Sequence, residues 1–329
     1  MKHTIKIVIL SLCAALALSA CNKRHHTPDT SDQKIPLSFT AESHDAATKA
    51  VFPPTQDFGV YGIATKALHE DYILWTANES DHLERVTKST TTGNYVTQNE
   101  AYWLSGYEYN FVALAPFSSA EVLDLGTVSS TDKTPNIRFT YEMGNRCDDA
   151  GFMIAVAHNE YNTGDPTTQS LIFWHFYSKI NINVTFVDAE RRPVDNENNV
   201  VTGMRLCNVA TKGQYTVTCD ESNIPVLSEG VIDPRTVDFS FTSGTETVHI
   251  IPQDISDLEM YIDFSMVTDA GVGSSNNFKL NLNFPQDQRY YDYNEVYNWN
   301  ITIGPKEAIG FNVTVNEWKD ADDFEFPIE

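Results

Sequence analysis

Apolar residues recur at every second position along much of this chain. Ile180, Ile182, Val184 and Phe186 alternate with Asn181, Asn183 and Thr185. Leu258, Met260, Ile262, Phe264 and Met266 alternate with Glu259, Tyr261, Asp263 and Ser265, and Phe278, Leu280, Leu282 and Phe284 with Lys279, Asn281 and Asn283. Successive side chains of an extended chain point to opposite faces, so each run predicts a strand with one buried and one wet face. Weaker patterns predict strands at 36–41, 58–64, 93–98, 109–115, 137–141, 152–157, 170–176, 203–209, 216–219, 236–241, 247–252, 296–303 and 311–315. Turn clusters such as Asn162-Thr163-Gly164-Asp165-Pro166 separate them. No long stretch carries a helical period; short helices are expected only near 65–70 and 121–125. Many short strands with frequent turns predict an all-β sandwich architecture.

The amino-terminal residues break the pattern. Lys2 and Lys6 precede an apolar run at 7–18 that is too short to span a bilayer, and residues 1–20 read as an export signal. It closes on Leu18-Ser19-Ala20-Cys21, which matches a bacterial lipobox. An ordinary cleaved signal shares the charged and apolar regions; the small residues before the Cys add the expectation that Cys21 carries a diacylglycerol (palmitate-type acyl) thioether. Residues 21–34 hold no large apolar side chain and are expected to form a disordered tether. The remainder exceeds the usual size of a single core, so two domains are expected, 35–169 and 170–329.

The chain has 22 basic and 45 acidic residues. Without Lys2 and Lys6 the count is 20 against 45, a net charge of −25, which excludes a nucleic-acid partner and suits an extracytoplasmic surface. Once the signal is removed and Cys21 lipidated, Cys147, Cys207 and Cys219 remain. Cys207 and Cys219 flank a turn around Thr211-Lys212-Gly213 and are placed to face each other across a hairpin; a disulfide and two free buried thiols both stay open.

Motifs for chemistry are incomplete. His69-Glu70 lacks the second His of a zinc-protease helix, since position 73 is Ile. Gly271-Val272-Gly273 lacks the third Gly of a dinucleotide fingerprint, with Asn at 276. The run Asp195–Asn199 alternates oxygen ligands but lacks the Gly and Glu of a calcium loop, and a solvated acidic loop is the better reading. No catalytic residue, metal site or cofactor is nominated. His175, between Trp174 and Phe176, reads as a core or interface histidine. Tyr102, Trp103, Tyr107 and Tyr109 could stack a sugar, but core packing is the stronger expectation for aromatics in strands.

Several stretches, in order, resemble the fimbrillin (Mfa-like) family, whose best-known members build type V pili. They are the lipobox; 35–39 followed by Thr48-Lys49-Ala50; Phe58-Gly59-Val60-Tyr61; Tyr102-Trp103 with Tyr109-Asn110-Phe111-Val112-Ala113; and Phe173-Trp174-His175-Phe176-Tyr177-Ser178-Lys179-Ile180. Ile250-Ile251-Pro252-Gln253, Tyr297-Asn298-Trp299-Asn300-Ile301 and Val313-Thr314-Val315-Asn316-Glu317-Trp318-Lys319-Asp320 complete the set. The resemblance implies two transthyretin-like sandwich domains, no catalytic activity and an outer-membrane, lipid-anchored precursor. It further implies a trypsin-like cut behind the first strand, whose loss opens a groove that a strand of another pilin subunit, in a homo- or hetero-polymer, then fills.

In this chain the first strand is 36–41, with Leu37 and Phe39 pointing inward, and the cut follows Lys49. Arg, expected at an efficient cut, is absent between Arg24 and Arg85, which leaves an unprocessed anchor or accessory subunit open. The leading expectation is a cell-surface fimbrial subunit contributing to adhesion. A monomeric surface lipoprotein binding a glycan or a host or bacterial surface protein, and a β-sandwich enzyme, are the alternatives.

Overall fold

Strands with one apolar face can hide it by stacking sheets or by closing a sheet on itself, and this protein does both. The computed structural model describes residues 35–44, 56–66, 72–75, 83–117, 120–125, 136–143, 151–161, 168–194, 199–218, 222–232, 236–241, 245–268, 271–280, 282, 289–304 and 308–317. Every regular element among these is a β-strand.

Seven strands join edge to edge into a ring. In order they are Phe58–Thr65, Tyr107–Ala115, Met153–Tyr161, Thr168–His175, Ser38–Ser43, Tyr95–Thr97 and Glu84–Lys88, which returns to Phe58–Thr65. All neighbours run antiparallel except Ser38–Ser43 and Thr168–His175, which run parallel. Inside the ring sits an aromatic cluster: Phe39 meets Phe58 and Phe111, and Phe58 meets Tyr95 and Phe173. The other face of the same strands carries Tyr61, Ile63, Val112, Leu114, Ile154 and Val156, which join a second core with Ile137, Phe139 and Tyr141. Phe58–Thr65 is therefore buried at every position. Gly62 lies where Leu74 and Phe111 close in; a Cβ there would stand 2.8 Å from each.

A second sheet runs Val226–Ile232, Lys212–Thr218, Asn136–Glu142, Glu121–Leu125, and so takes strands from both sides of residue 170. Residues Pro36–Glu329 form one compact unit by contacts. Two further four-stranded sheets are Thr245–Ile250, Ser178–Phe186, Glu295–Ile303, Ala308–Glu317 and Thr236–Phe241, Val200–Ala210, Glu259–Thr268, Gly271–Leu280. Ile180, Ile182, Trp299 and Ile301 of the first join Met204, Leu206, Met260 and Ile262 of the second in the central core. The indole N–H of fully buried Trp299 donates to the Tyr291 hydroxyl at 2.7 Å, so its one polar group is satisfied. The protein is an all-β sandwich.

Three expectations change. The short helix near 121–125 is the strand Glu121–Leu125: Val122 and Leu125 pack on the core, and the backbone pairs with Asn136–Glu142. Of the other expected helix, Thr65 ends a strand and 67–70 lie outside the described residues. The turn at 211–213 makes no hairpin. Val200–Ala210 and Lys212–Thr218 belong to different sheets, and the chain crosses between them at Thr211, whose carbonyl accepts from the Met143 N–H. The strand expected at 278–284 spans Gly271–Leu280 instead, since the polar stretch before Phe278 pairs through its backbone with Phe264–Thr268. Glu84–Lys88 and Val226–Ile232 are strands that the pattern did not predict.

Phe139 lies within 6.0 Å, ring to ring, of Phe152, Phe176 and Tyr215, contributed by three different segments. Phe139→Ala is expected to lower stability by about 3–5 kcal/mol, read from urea denaturation.

Candidate functional site

The chain enters the ring as one short strand, and alternation fixes how it sits. In Ser38–Ser43 and the residue before it, Leu37, Phe39 and Ser43 are buried, while Ser38 and Thr40 are half-buried and Glu42 is exposed. Leu37 is 2% exposed and Phe39 0%. The Phe39 ring meets Phe111 edge-on at 5.3 Å and Phe58 at 6.2 Å. Burying a Leu and a Phe contributes roughly 3–6 kcal/mol together.

The strand's two sides are held unequally. Toward Thr168–His175 the parallel ladder covers six positions, from Ser38 opposite Thr168 to Ser43 opposite Phe173. The Ser38 and Thr168 hydroxyls lie 3.1 Å apart at one end. At the other, the His44 N–H donates to the Phe173 carbonyl at 2.7 Å, and the His44 ring stacks on Trp174 at 3.4 Å. Toward Tyr95–Thr97 only Ser38 and Phe39 are paired. The Leu37 N–H is taken by the Ala101 carbonyl at 2.8 Å. The slot thus has one continuous wall, one partial wall and an aromatic floor. Leu37 and Phe39 point inward as the period-two reading expects. The parallel partner, 130 residues away, carries no signal in the sequence.

Other singled-out residues serve packing. Trp103 and Tyr109 are buried with ring centroids 4.6 Å apart. The Tyr109 hydroxyl accepts from the Leu104 N–H and donates to the Tyr102 carbonyl, tying the strand ends together. Tyr102 and Tyr107 are half-buried, and the Lys66 ammonium lies over the Tyr107 ring at 5.1 Å. His175 is buried, and its backbone N–H donates to the Asn294 side-chain oxygen at 3.3 Å. Asn294 holds a positive φ of 59°, which places its N–H on the Tyr177 carbonyl. Gln253 of the Ile-Pro-Gln element is buried and acts as a strand surrogate for Ala210: it accepts from the Ala210 N–H and donates to the Ala210 carbonyl. Cys207 is buried.

Cys21, Lys49, His69, Glu70, Cys147, Asp195 to Asn198 and Cys219 lie outside the described residues. Gly271 to Asn276 lie within a strand rather than in a loop before a helix. Among the described residues no group of three or more His, Cys, Asp or Glu is placed to hold a metal ion, and no helix is long and apolar enough to cross a membrane.

Residues 46–318 match the family model described as fimbrillin-like. Solved structures with a similar course include a candidate cell adhesion protein of Bacteroides ovatus, 15% identical, covering 88% of this chain and 100% of its own, with a TM-score of 0.49. Another, of Bacteroides uniformis, is 15% identical over 88% and 99% of the two chains, with a TM-score of 0.48. The tip fimbrial protein of Porphyromonas gingivalis, truncated at its C-terminus, is 11% identical over 87% and 100%, with a TM-score of 0.41. No curated protein matches the chain.

Two outcomes are expected. Phe39→Ala should cost about 3–5 kcal/mol, and limited proteolysis should show the strand cleaved faster than in the wild type. Partial desolvation by its neighbours holds the Asp292 carboxyl above its ordinary value of 3.8, against one hydrogen bond from the Tyr293 N–H, while the residue itself is exposed at the surface, so water screens its effect on stability. The folded state therefore binds this proton more readily than the unfolded chain, and the group's contribution to stability falls as pH rises through the carboxyl range. Asp292→Asn, which keeps the accepting oxygen, should raise the melting temperature at about pH 7 and lose that advantage near pH 3, as read from thermal unfolding.

Proposed function

Because the chain belongs to the fimbrillin-like family, a family of structural and adhesive proteins rather than enzymes, we propose that it is a pilin-like subunit of the cell surface that polymerises by donor-strand addition. The observation that carries the proposal is the first strand. Ser38–Ser43 completes a ring whose other strands are already joined, and it is held on one side by a six-residue parallel ladder and on the other by two residues. A strand placed this way is separable from the body in principle. Its loss leaves a row of unpaired backbone groups beside an apolar slot lined by Phe58, Phe111 and Phe173, and such an edge is filled by strand addition.

In this reading Cys21 anchors the precursor in the outer membrane, and a trypsin-like protease cuts after Lys49. A strand from a neighbouring subunit then replaces Leu37 and Phe39 in the slot, which yields a fimbrium that contributes to adhesion to host or bacterial surfaces. In this reading two transthyretin-like halves meet at 169/170 along the chain and share the sheet that takes strands from both. The donor needs apolar side chains at alternate positions, because only those match the pleat of the slot.

The test is intact mass and gel size after mild trypsin, read under both native and denaturing conditions. The expected result is loss of the segment ending at Lys49 and a ladder of oligomers, with no ladder for Lys49→Ala. A chain that is cut yet stays monomeric, or one that forms the ladder without a cut, would overturn the proposal.

A further inference from the structure

The sheet that takes strands from both sides of residue 170 ends on Val226–Ile232, which pairs with Lys212–Thr218 and, among the described residues, with nothing on its outer side. Such an edge presents a row of unpaired N–H and C=O groups, which folded proteins usually blunt or cover. This one is bare. Val226 is 47% exposed, Ile224 just before it 45%, and Ser228, Glu229 and Gly230 are exposed. Tyr290, 40% exposed, lies near Glu229 and so stands beside the strand. Half of the six large apolar side chains that are exposed among the described residues gather here, a concentration that marks a contact surface rather than scatter.

A cavity of about 850 Å³ opens alongside the edge. Its wall takes Glu229 and Ile232 from the strand and continues through Asp254, Asp257 and Glu259, with the Lys279 ammonium paired to Glu259 at 2.6 Å. The lining thus holds four carboxylates to one ammonium, the latter already paired with Glu259, and Arg289 lies near Asp254. Hydrogen bonds from Ser256 to Asp254, and from Lys279 and Tyr261 to Glu259, favour the ionised forms of both carboxyls.

We propose that this edge takes up an extended, lysine- or arginine-rich segment of another protein as a fifth strand, its cations directed into the carboxylate-lined cavity. The backbone row calls for a polypeptide in extended form, since only a second backbone satisfies it. The exposed Ile224, Val226 and Tyr290 supply apolar contact, and the cavity selects positive charge. A second copy of this chain is disfavoured, because its net charge of −23 would be brought against a like-charged face. The site is distinct from the slot of the first strand and does not depend on it.

The probe is a fluorescent ten-residue peptide of alternating lysine and valine, titrated by anisotropy at physiological salt. Its comparators are the same peptide methylated on alternate backbone nitrogens, and spermine as a competitor. The double variant Glu229→Lys, Asp257→Lys is compared with Glu121→Lys, Asp124→Lys on the opposite edge of the same sheet, which changes net charge equally. The expected result is saturable binding that weakens about tenfold or more for the first pair and less than about twofold for the second. The methylated peptide should fail to bind, and spermine should compete only weakly. Equal loss in both double variants, undiminished binding of the methylated peptide or full displacement by spermine would each reduce the effect to general attraction of a polycation and overturn the proposal. The methylated-peptide arm uses the unmodified protein, so the outcome does not depend on a variant folding.

Discussion

The parallel ladder between Ser38–Ser43 and Thr168–His175 holds the amino-terminal ring shut. Its backbone bonds alone would be a modest hold, because a protein hydrogen bond largely replaces one to water. The ladder matters because of what it places: with Ser38 opposite Thr168, Phe39 falls between Phe58 and Phe111. A shift by one residue would turn Leu37 and Phe39 to solvent and bring Ser38 and Thr40 inward. Register, burial and closure are therefore one constraint, and the interior aromatic cluster exists only while that register is kept.

The second core shares strands with the first. Phe58–Thr65 and Tyr107–Ala115 carry apolar side chains on both faces, one set lining the ring and the other meeting Phe139 and Tyr141 across the central core. Opening the ring would not strip that second face directly, since Asn136–Glu142 and Lys212–Thr218 pair in a separate sheet. The protein thus has a closed part that Ser38–Ser43 completes and a sheet-stacked part whose strands pair without it.

Strands whose environment repeats along their length were legible in the sequence. Ile180 to Phe186 and Leu258 to Met266 alternate because each lies between one core and solvent, and Leu37 and Phe39 were readable for the same reason. The strand at 58–64 was legible too, though without a wet face: Gly59 to Ala64 are buried on both sides, and the alternation there is between ring-lining and core-facing residues. On an exposed edge the pattern failed. Val226–Ile232 went unseen because its Ser, Glu and Gly are exposed on an edge. The crossover at Thr211 looked like a hairpin because turn chemistry signals a reversal without saying whether the chain returns to the same sheet. The slot was legible only in its occupant. Its walls come from Tyr95–Thr97 and Thr168–His175, and nothing local in either segment records that pairing.

The distance along the chain between the two sides of that ladder has a further consequence. Ser38 meets its partner 130 residues later, so the earliest strand can pair there only with one of the last pieces of its ring. Closing so long a loop is among the slowest steps open to a β protein, because the chain entropy is lost before the contacts form. The pairing that completes the ring is thus the one that chain entropy opposes most, and it can form only once the segment at 168–175 is available to receive the first strand.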